Sequence, residues 1–213
     1  MSNLSSGAGA PLDILASLTL LALAPFVLVL MTSFIRIVVV LSLVRQALGT
    51  QSLPPNIVIT GLALVLTFVS MAPTLDAVSR DALAPYSRGQ IDRTQLVARG
   101  LEPVRAFMLR QTMRRDIEFF DRVSKRKPDD PRTAPLTVVL PAFVVGELRS
   151  GFAMGFALYL PFIAIDLAVA AILMGLGMMM LSPSVVSLPC KLFLFVAVDG
   201  WALVAGGVTA SFR

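Results

Sequence analysis

Three charged residues inside long apolar runs, Asp166, Lys191 and Asp199, are the side chains best suited to chemistry in this chain. Charges at such positions in membrane segments pair with one another or line water-filled paths. Asp166 and Lys191 flank a bend rich in serine and proline, so folding the two arms into a hairpin brings them level. We expect an ion pair between them, within the chain or with a neighbour, although Lys191 could instead snorkel to an interface. Asp199 would join this cluster or contact another subunit.

The same residues allow two alternative chemistries. Ser182 or Ser187 could form a Ser–Lys dyad with Lys191, and Ser187, four residues before Lys191, could reach it on a helix. Pro189 between them argues against a regular helix there, and serine and proline also suit a simple turn. The three charges could otherwise form the substrate or proton site of a small-solute transporter. The chain has no His and only Cys190, which excludes His-dependent acid–base chemistry and the usual zinc sites. With Pro189 against the dyad and these classes excluded, we predict no enzyme activity, no cofactor and no metal.

Three consecutive methionines, Met178, Met179 and Met180, stand near the same bend. Methionine is flexible and polarizable and adapts to the surface that it touches. A methionine cluster most often fills a core. Between two membrane segments, however, a triplet indicates a soft lining that closes and reseals, and several copies around an axis would be needed to surround a pore.

The elements that position these residues follow from the distribution of charge. Mean hydropathy is +0.83 and 56% of the 213 residues are apolar, so we predict a membrane protein. Residues 76–135 hold 22 of the 31 charges. Five runs without charge flank this polar insert: 14–35, 46–75, 150–165, 167–190 and 200–212. A membrane helix needs about 20 apolar residues, which predicts about four long hydrophobic helices.

We thus predict an all-α, membrane-associated fold of two helical hairpins with a polar helical insert between them. Residues 1–11 form a flexible N-terminus, 12–75 the first hydrophobic hairpin, 76–135 the insert and 136–213 the second hairpin. The first helix runs from about Leu12 to Leu48 with Gly49 after its end, and the second begins near Ile57. No Lys or Arg precedes Arg36, so we expect a retained helix rather than a cleaved signal.

Two further patterns concern packing. In the insert, Leu109, Met113, Ile117 and Phe120 form one apolar stripe of a helix predicted over 101–125. The insert mixes both signs of charge closely, which argues against nucleic-acid binding. In the second hairpin, Gly151 and Gly155 form a GxxxG pattern that lets membrane helices approach closely.

A series of ordered motifs resembles the FliP/SctR family of type III protein export gates, with the flagellar FliP branch favoured over the injectisome branch. Cys190 departs from the family, which often has Phe there. The matching segments span nearly the whole chain: 31–37, 40–51, 54–56, 61–67, 107–112, 140–143, 147–148, 155–156, 161–162, 165–167, 176–180, 187–189, Lys191 and 198–201.

The resemblance implies a core subunit of the gate through which unfolded proteins cross the bacterial inner membrane at the flagellar basal body. It implies five copies assembled with FliQ- and FliR-type subunits, next to FlhA- and FlhB-type export components and membrane lipid. It assigns Met178, Met179 and Met180 to a gasket around the channel. The positive-inside rule would place the basic insert in the cytoplasm, whereas the resemblance places it, with much of the assembly, on the periplasmic side.

Overall fold

The computed structural model describes residues 22, 29–50, 53–125, 130, 133–178 and 180–212. Within them the chain is all-helical, as predicted. In chain order the helices are α1 (Phe34–Ala47), α2 (Asn56–Val78), a π-helical turn (Ser79–Leu83), α3 (Ala84–Ser87), α4 (Arg93–Gln111), α5 (Arg114–Val123), α6 (Leu136–Gly175), α7 (Pro183–Ala197) and α8 (Gly200–Ala210).

Two of the described helical segments are long and apolar enough to cross a membrane, Asn56–Ser87 and Leu136–Gly175. Helices α7 and α8 pass the same test only as a pair, and they are bent by 64° at their junction. The described residues therefore hold two candidate spans, or three if the bent pair counts as one. The expected count of four, and the division into 1–11, 12–75, 76–135 and 136–213, stay predictions.

The predicted first helix is not continuous in its described part. A turn at Met31–Ser33 precedes α1, and most of the predicted helix before it lies outside the described residues. Its end agrees with the prediction, because Gly49 has φ +77° and donates its N–H to the Gln46 carbonyl (3.0 Å). This left-handed conformation suits glycine, which has no Cβ to clash.

The prediction of one helix over 101–125 is also wrong, because two helices, α4 and α5, occupy this region. Thr112 is extended (ψ 131°), and its hydroxyl donates to the Met108 carbonyl (2.7 Å). The break turns α5 onto α6 and buries Ile117, while Met113 is left 51% exposed. The residues of the predicted apolar stripe therefore do not share one helix face. Packing of α5 against α6 overrides the local periodicity.

Helix α6 is the central element, packed most extensively against α1. One buried cluster joins α1 to α2, α6, α7 and α8, and a second joins the insert helices α4 and α5 to the first turns of α6. Phe212, just after α8, packs against both clusters. Large apolar side chains on the outer faces of α2, α6 and α7, such as Phe68, Phe156 and Phe193, are more than half exposed.

Candidate functional site: buried charge pairs and a methionine loop

Asp166 and Lys191 meet across the hairpin formed by α6 and α7. Lys191 Nζ donates to Asp166 Oδ2 at 2.6 Å, and the Ser187 hydroxyl donates to the other oxygen, Oδ1, at 2.5 Å. Lys191 and Ser187 are buried, at 3% and 0% exposure. We call these three residues the Asp166 cluster. Because Ser187 and Lys191 are four residues apart on α7, both side chains reach the same carboxylate from one helix face.

This geometry is that of a neutralised charge pair, not of a nucleophile with its base. In a Ser–Lys dyad an uncharged amine takes the serine proton. Here Ser187 donates to the Asp166 carboxylate, which is also bonded to the Lys191 ammonium. Helix α7 does run through Pro189, which the sequence argument treated as a break. The arrangement holds α6 and α7 in register and leaves little net charge between them.

Asp199 is not brought to this cluster. It lies between α7 and α8 in the left-handed region (φ 51°, ψ 53°), with an exposed side chain. In the described part of the chain its carboxylate makes no ion pair or hydrogen bond. Its predicted contact with another subunit stays a prediction.

We expect Asp166 and Lys191 to be energetically coupled. Asp166→Asn leaves a buried ammonium without its counter-charge, and Lys191→Gln removes the cation, so each single change is expected to reduce the amount of folded protein severalfold. The double change removes both charges. It should therefore lower the thermal midpoint clearly less than the two single changes do when their effects are added. The check is a double-mutant cycle on the thermal midpoint of the detergent-purified protein. Strictly additive effects would show that the 2.6 Å contact contributes nothing.

The methionine loop, residues 176–182, joins α6 to α7. Gly177 (φ +74°) ends α6, and Ser182 and Pro183 begin α7. Met178 is 44% exposed and Met180 fully exposed, while Met179 lies outside the described residues. The two described methionines therefore do not fill the core of this chain.

Gly151 and Gly155 line the seam between α6 and α1. A Cβ at Gly155 would overlap the Leu43 side chain and lie 2.9 Å from its Cβ, and one at Gly151 would lie 3.1 Å from Val39 Cγ1. Real Cβ atoms do not approach a neighbour as closely as the Gly155 contact, so this position requires glycine at the present helix spacing. At Gly151 the contact is tight, and Val39 would have to move slightly to admit a side chain. The GxxxG pattern thus serves contact within the chain.

A second buried charge pair was not predicted from the sequence. Arg36 of α1 donates from Nε to Glu147 Oε2 (3.0 Å) and from Nη2 to Oε1 (2.5 Å). Arg36 is 5% exposed and Glu147 is completely buried. Such a bidentate pair is the strongest geometry for two opposite charges.

The remaining donors of Arg36 reach the insert and the chain end. Nη1 donates to the carbonyl and hydroxyl of Ser211 (3.1 and 3.0 Å), and Nη2 reaches Gln111 Oε1 (3.3 Å). The guanidinium carbon lies 4.1 Å from the centre of the Phe212 ring, a cation–π distance. This set of residues, Arg36, Gln111, Glu147, Ser211 and Phe212, is the Arg36 network. It connects α1, α4, α6 and the segment after α8.

A third pair fastens the insert to α6. Arg149 Nη1 lies 2.9 Å from both carboxylate oxygens of the buried Asp116. Asp116 is in the first turn of α5, so its negative charge also faces the positive end of that helix. The insert is thus tied to the hairpin by charge as well as by Ile117 and Phe143 in the apolar cluster.

These elements fall within a known family. Residues 17–208 match the family described as "FliP family". The chain belongs to the FliP family. The match includes every member of the Asp166 cluster, the methionine loop and both glycines of the seam. It ends just before Ser211 and Phe212 of the Arg36 network.

Several curated FliP proteins are similar to this FliP family chain over most of its length. The flagellar biosynthetic protein FliP of Pectobacterium carotovorum is 50% identical over 93% of this chain and 77% of its own length. That of Bacillus subtilis is 45% identical over 93% of this chain and 90% of its own. That of Aquifex aeolicus is 44% identical over 94% and 85%. The resemblance inferred from the motifs is confirmed, and these relatives carry the flagellar name.

The sequence predicted the Asp166–Lys191 pair of this FliP family chain. It did not predict the Arg36–Glu147 pair or the Arg149–Asp116 pair. Arg36, Glu147 and Arg149 were visible as isolated charges in apolar surroundings. The signal that could have paired them is charge balance: an isolated buried cation requires an anion elsewhere. Sequence separation gave no guide to which anion, because Arg36 and Glu147 lie 111 residues apart.

Proposed function

We propose that this chain is a subunit of the export gate of the bacterial flagellar type III protein export apparatus, located in the inner membrane. The observation that carries the proposal is the FliP family match over residues 17–208, with relatives named flagellar biosynthetic proteins. Its role is structural: it forms part of a passage for unfolded protein substrates, and it catalyses no reaction. An injectisome role has less support, because the relatives above all carry the flagellar name.

The exposed apolar faces support an assembly rather than a single working chain. Phe68, Phe156 and Phe193 are exposed by 68%, 61% and 78% on three different helices. Large apolar side chains exposed in such number are typical of surfaces that lipid or other subunits cover. We propose about five copies with FliQ- and FliR-type subunits, adjoining FlhA- and FlhB-type components. The chain would carry four hydrophobic helices in two hairpins, and most of the predicted first helix lies outside the described residues.

The methionine loop is proposed as this subunit's share of a gasket. Met178 and Met180 are exposed at the tip of the hairpin, and residues 167–190 carry no charge. A ring of such loops would present flexible apolar side chains to the axis. Apolar constrictions block ions by excluding water, and the lack of charge avoids trapping a passing polypeptide. Met179 would belong to the same ring.

The insert is proposed to lie on the periplasmic side. Its α4 and α5 pack on the first turns of α6, around Val138, Ala142 and Phe143, at the end of α6 opposite the methionine loop. The test uses Ser124→Cys, an exposed position, in a Cys190→Ser background, because Cys190 is itself exposed. We expect a membrane-impermeant maleimide to label it in cells with an intact inner membrane. Labelling that requires opening that membrane would contradict the placement.

Complementation tests the function itself. We expect deletion of the gene for this chain in its own host to abolish swimming and secretion of the filament protein, and a plasmid copy to restore both. Secreted filament protein is measured in the culture supernatant, with its intracellular amount as the control for expression. A deletion strain that secretes it at the parental level would contradict the proposal.

A further inference from the structure

We infer that Gly200 is the positioning residue at the base of the α6–α7 hairpin and that it sets the placement of the methionine loop at the other end. The inference concerns the geometry of the chain. Its consequence for sealing a channel rests on the proposed function.

Two rungs connect the arms of the hairpin. The first rung is the ion pair of Asp166 and Lys191. The second is the contact of Phe162 and Phe195, with ring centres 6.3 Å apart. Phe162 precedes Asp166 by four residues on α6, and Phe195 follows Lys191 by four on α7. Because residues four apart share a helix face, both rungs lie in one plane between the arms.

Phe195 packs against the first residues of α8. Its ring meets that of Trp201 edge-on, with centres 5.1 Å apart, and is only 6% exposed. The backbone of Gly200 lies directly on the same ring. A Cβ at Gly200 would overlap two ring atoms of Phe195 and lie 2.7 Å from Cγ. Phe195 and Gly200 both line a cavity of about 240 Å³. A Cβ at Gly200 is therefore accommodated only if the ring leaves its place for that cavity.

Asp199 and Gly200 have different roles at the 64° bend between α7 and α8. Asp199 makes the turn by adopting the left-handed conformation (φ 51°), which Asp tolerates better than most residues. Gly200 does not adopt a positive φ, so its role is the close contact and not the turn. The bend directs α8 back under Phe195 and completes the support of the second rung.

A side chain at Gly200 must therefore displace Phe195. Restoring van der Waals separation from the nearest ring atoms, which the new Cβ would overlap, needs a movement of roughly 1.5 Å. A ring that moves into the cavity separates from Phe162, so the second rung is lost and α7 is held to α6 at the first rung. The α7 arm then changes its tilt against α6, and the loop that joins the arms moves with it.

The test compares Gly200→Ala with Gly206→Ala on the same helix, where an added Cβ has no neighbour within 4 Å. Spin labels at Ile172→Cys and Val185→Cys, both exposed and one on each arm, report the arm-to-arm distance in a Cys190→Ser background. We expect a shifted mean or a broader distribution with Gly200→Ala and none with Gly206→Ala. An unchanged distribution in Gly200→Ala overturns the inference, whatever happens to export.

A second variant keeps the test decisive if Gly200→Ala does not accumulate. Phe195→Ala removes every ring atom that the new methyl group would meet. In that background, adding Gly200→Ala should change neither the arm distance nor the amount of protein. A further loss on adding Gly200→Ala would overturn the inference. Secretion by the deletion strain tests the proposed function separately, since the label distances do not depend on it.

Discussion

Replacing Glu147 with glutamine is expected to lower the free energy of unfolding by about 3–5 kcal/mol, because it leaves the buried Arg36 guanidinium without its counter-charge. The carboxylate is completely buried and accepts two hydrogen bonds from Arg36. We expect a lower thermal midpoint in detergent and little assembled complex in the membrane. The measurement is the melting midpoint, with the yield of membrane-inserted protein beside it.

Glu118→Gln is the matched control. Glu118 forms its ion pair with Arg114 in the exposed surface of α5 (2.8 Å), where such a pair contributes about 0–1 kcal/mol. The double change Arg36→Met with Glu147→Leu should recover part of the loss, since it removes both buried charges. Recovery would be incomplete, because Ser211 and Gln111 also lose their partner. If the melting midpoint of Glu147→Gln equals that of Glu118→Gln, the Arg36 network does not determine the stability of the protein.

Replacing Met178, Met179 and Met180 together with alanine is expected to make the inner membrane leak severalfold more ions and small solutes while the complex still assembles. The two described methionines are exposed, so their truncation removes no core contact within the chain. It does remove the flexible bulk that would close an axial opening. The measurement is dye or ion entry in cells producing equal amounts of complex.

Two controls separate bulk from chemistry. A triple change to leucine keeps apolar volume and should stay nearly tight, because volume-conserving apolar exchanges are the best tolerated. Met113→Ala, exposed at the break between α4 and α5, should not leak at all. An alanine triplet that assembles, exports normally and remains as tight as the parent chain would refute the proposed gasket.

The sequence predicts the parts of this molecule that depend on short-range patterns. The charge-free run 46–75 located α2, Gly49 marked the end of α1, and the bend near the methionines brought Asp166 level with Lys191. The same criterion divided α6, which continues through Glu147, Arg149 and Asp166. Each of these inferences depends on residues that are close in sequence, or that lie at similar distances before and after a single turn. The same reasoning extended one insert helix through Thr112, where packing of α5 against α6 demanded a break.

The features that escaped prediction are set by distant parts of the chain. Arg36 meets Glu147 and the C-terminal Ser211 only because α1, α6 and α8 converge, and no local pattern encodes that convergence. The contact of Gly200 with Phe195 depends equally on a bend that Asp199 makes. The number of copies around a channel depends on surfaces that one chain leaves exposed, such as those bearing Phe156 and Phe193. A single sequence therefore yields this chain's helices more readily than its assembly.

The most direct test of the export-gate assignment is the composition and mass of the complex purified from its own host through a tag on this chain. We predict a single membrane complex with about five copies of the chain together with FliQ- and FliR-type subunits, measured by native mass spectrometry. The preparation should come from cells in which the tagged chain supports swimming. A monomer, or a homo-oligomer without those partners, isolated from swimming cells under conditions that preserve membrane complexes, would contradict the account.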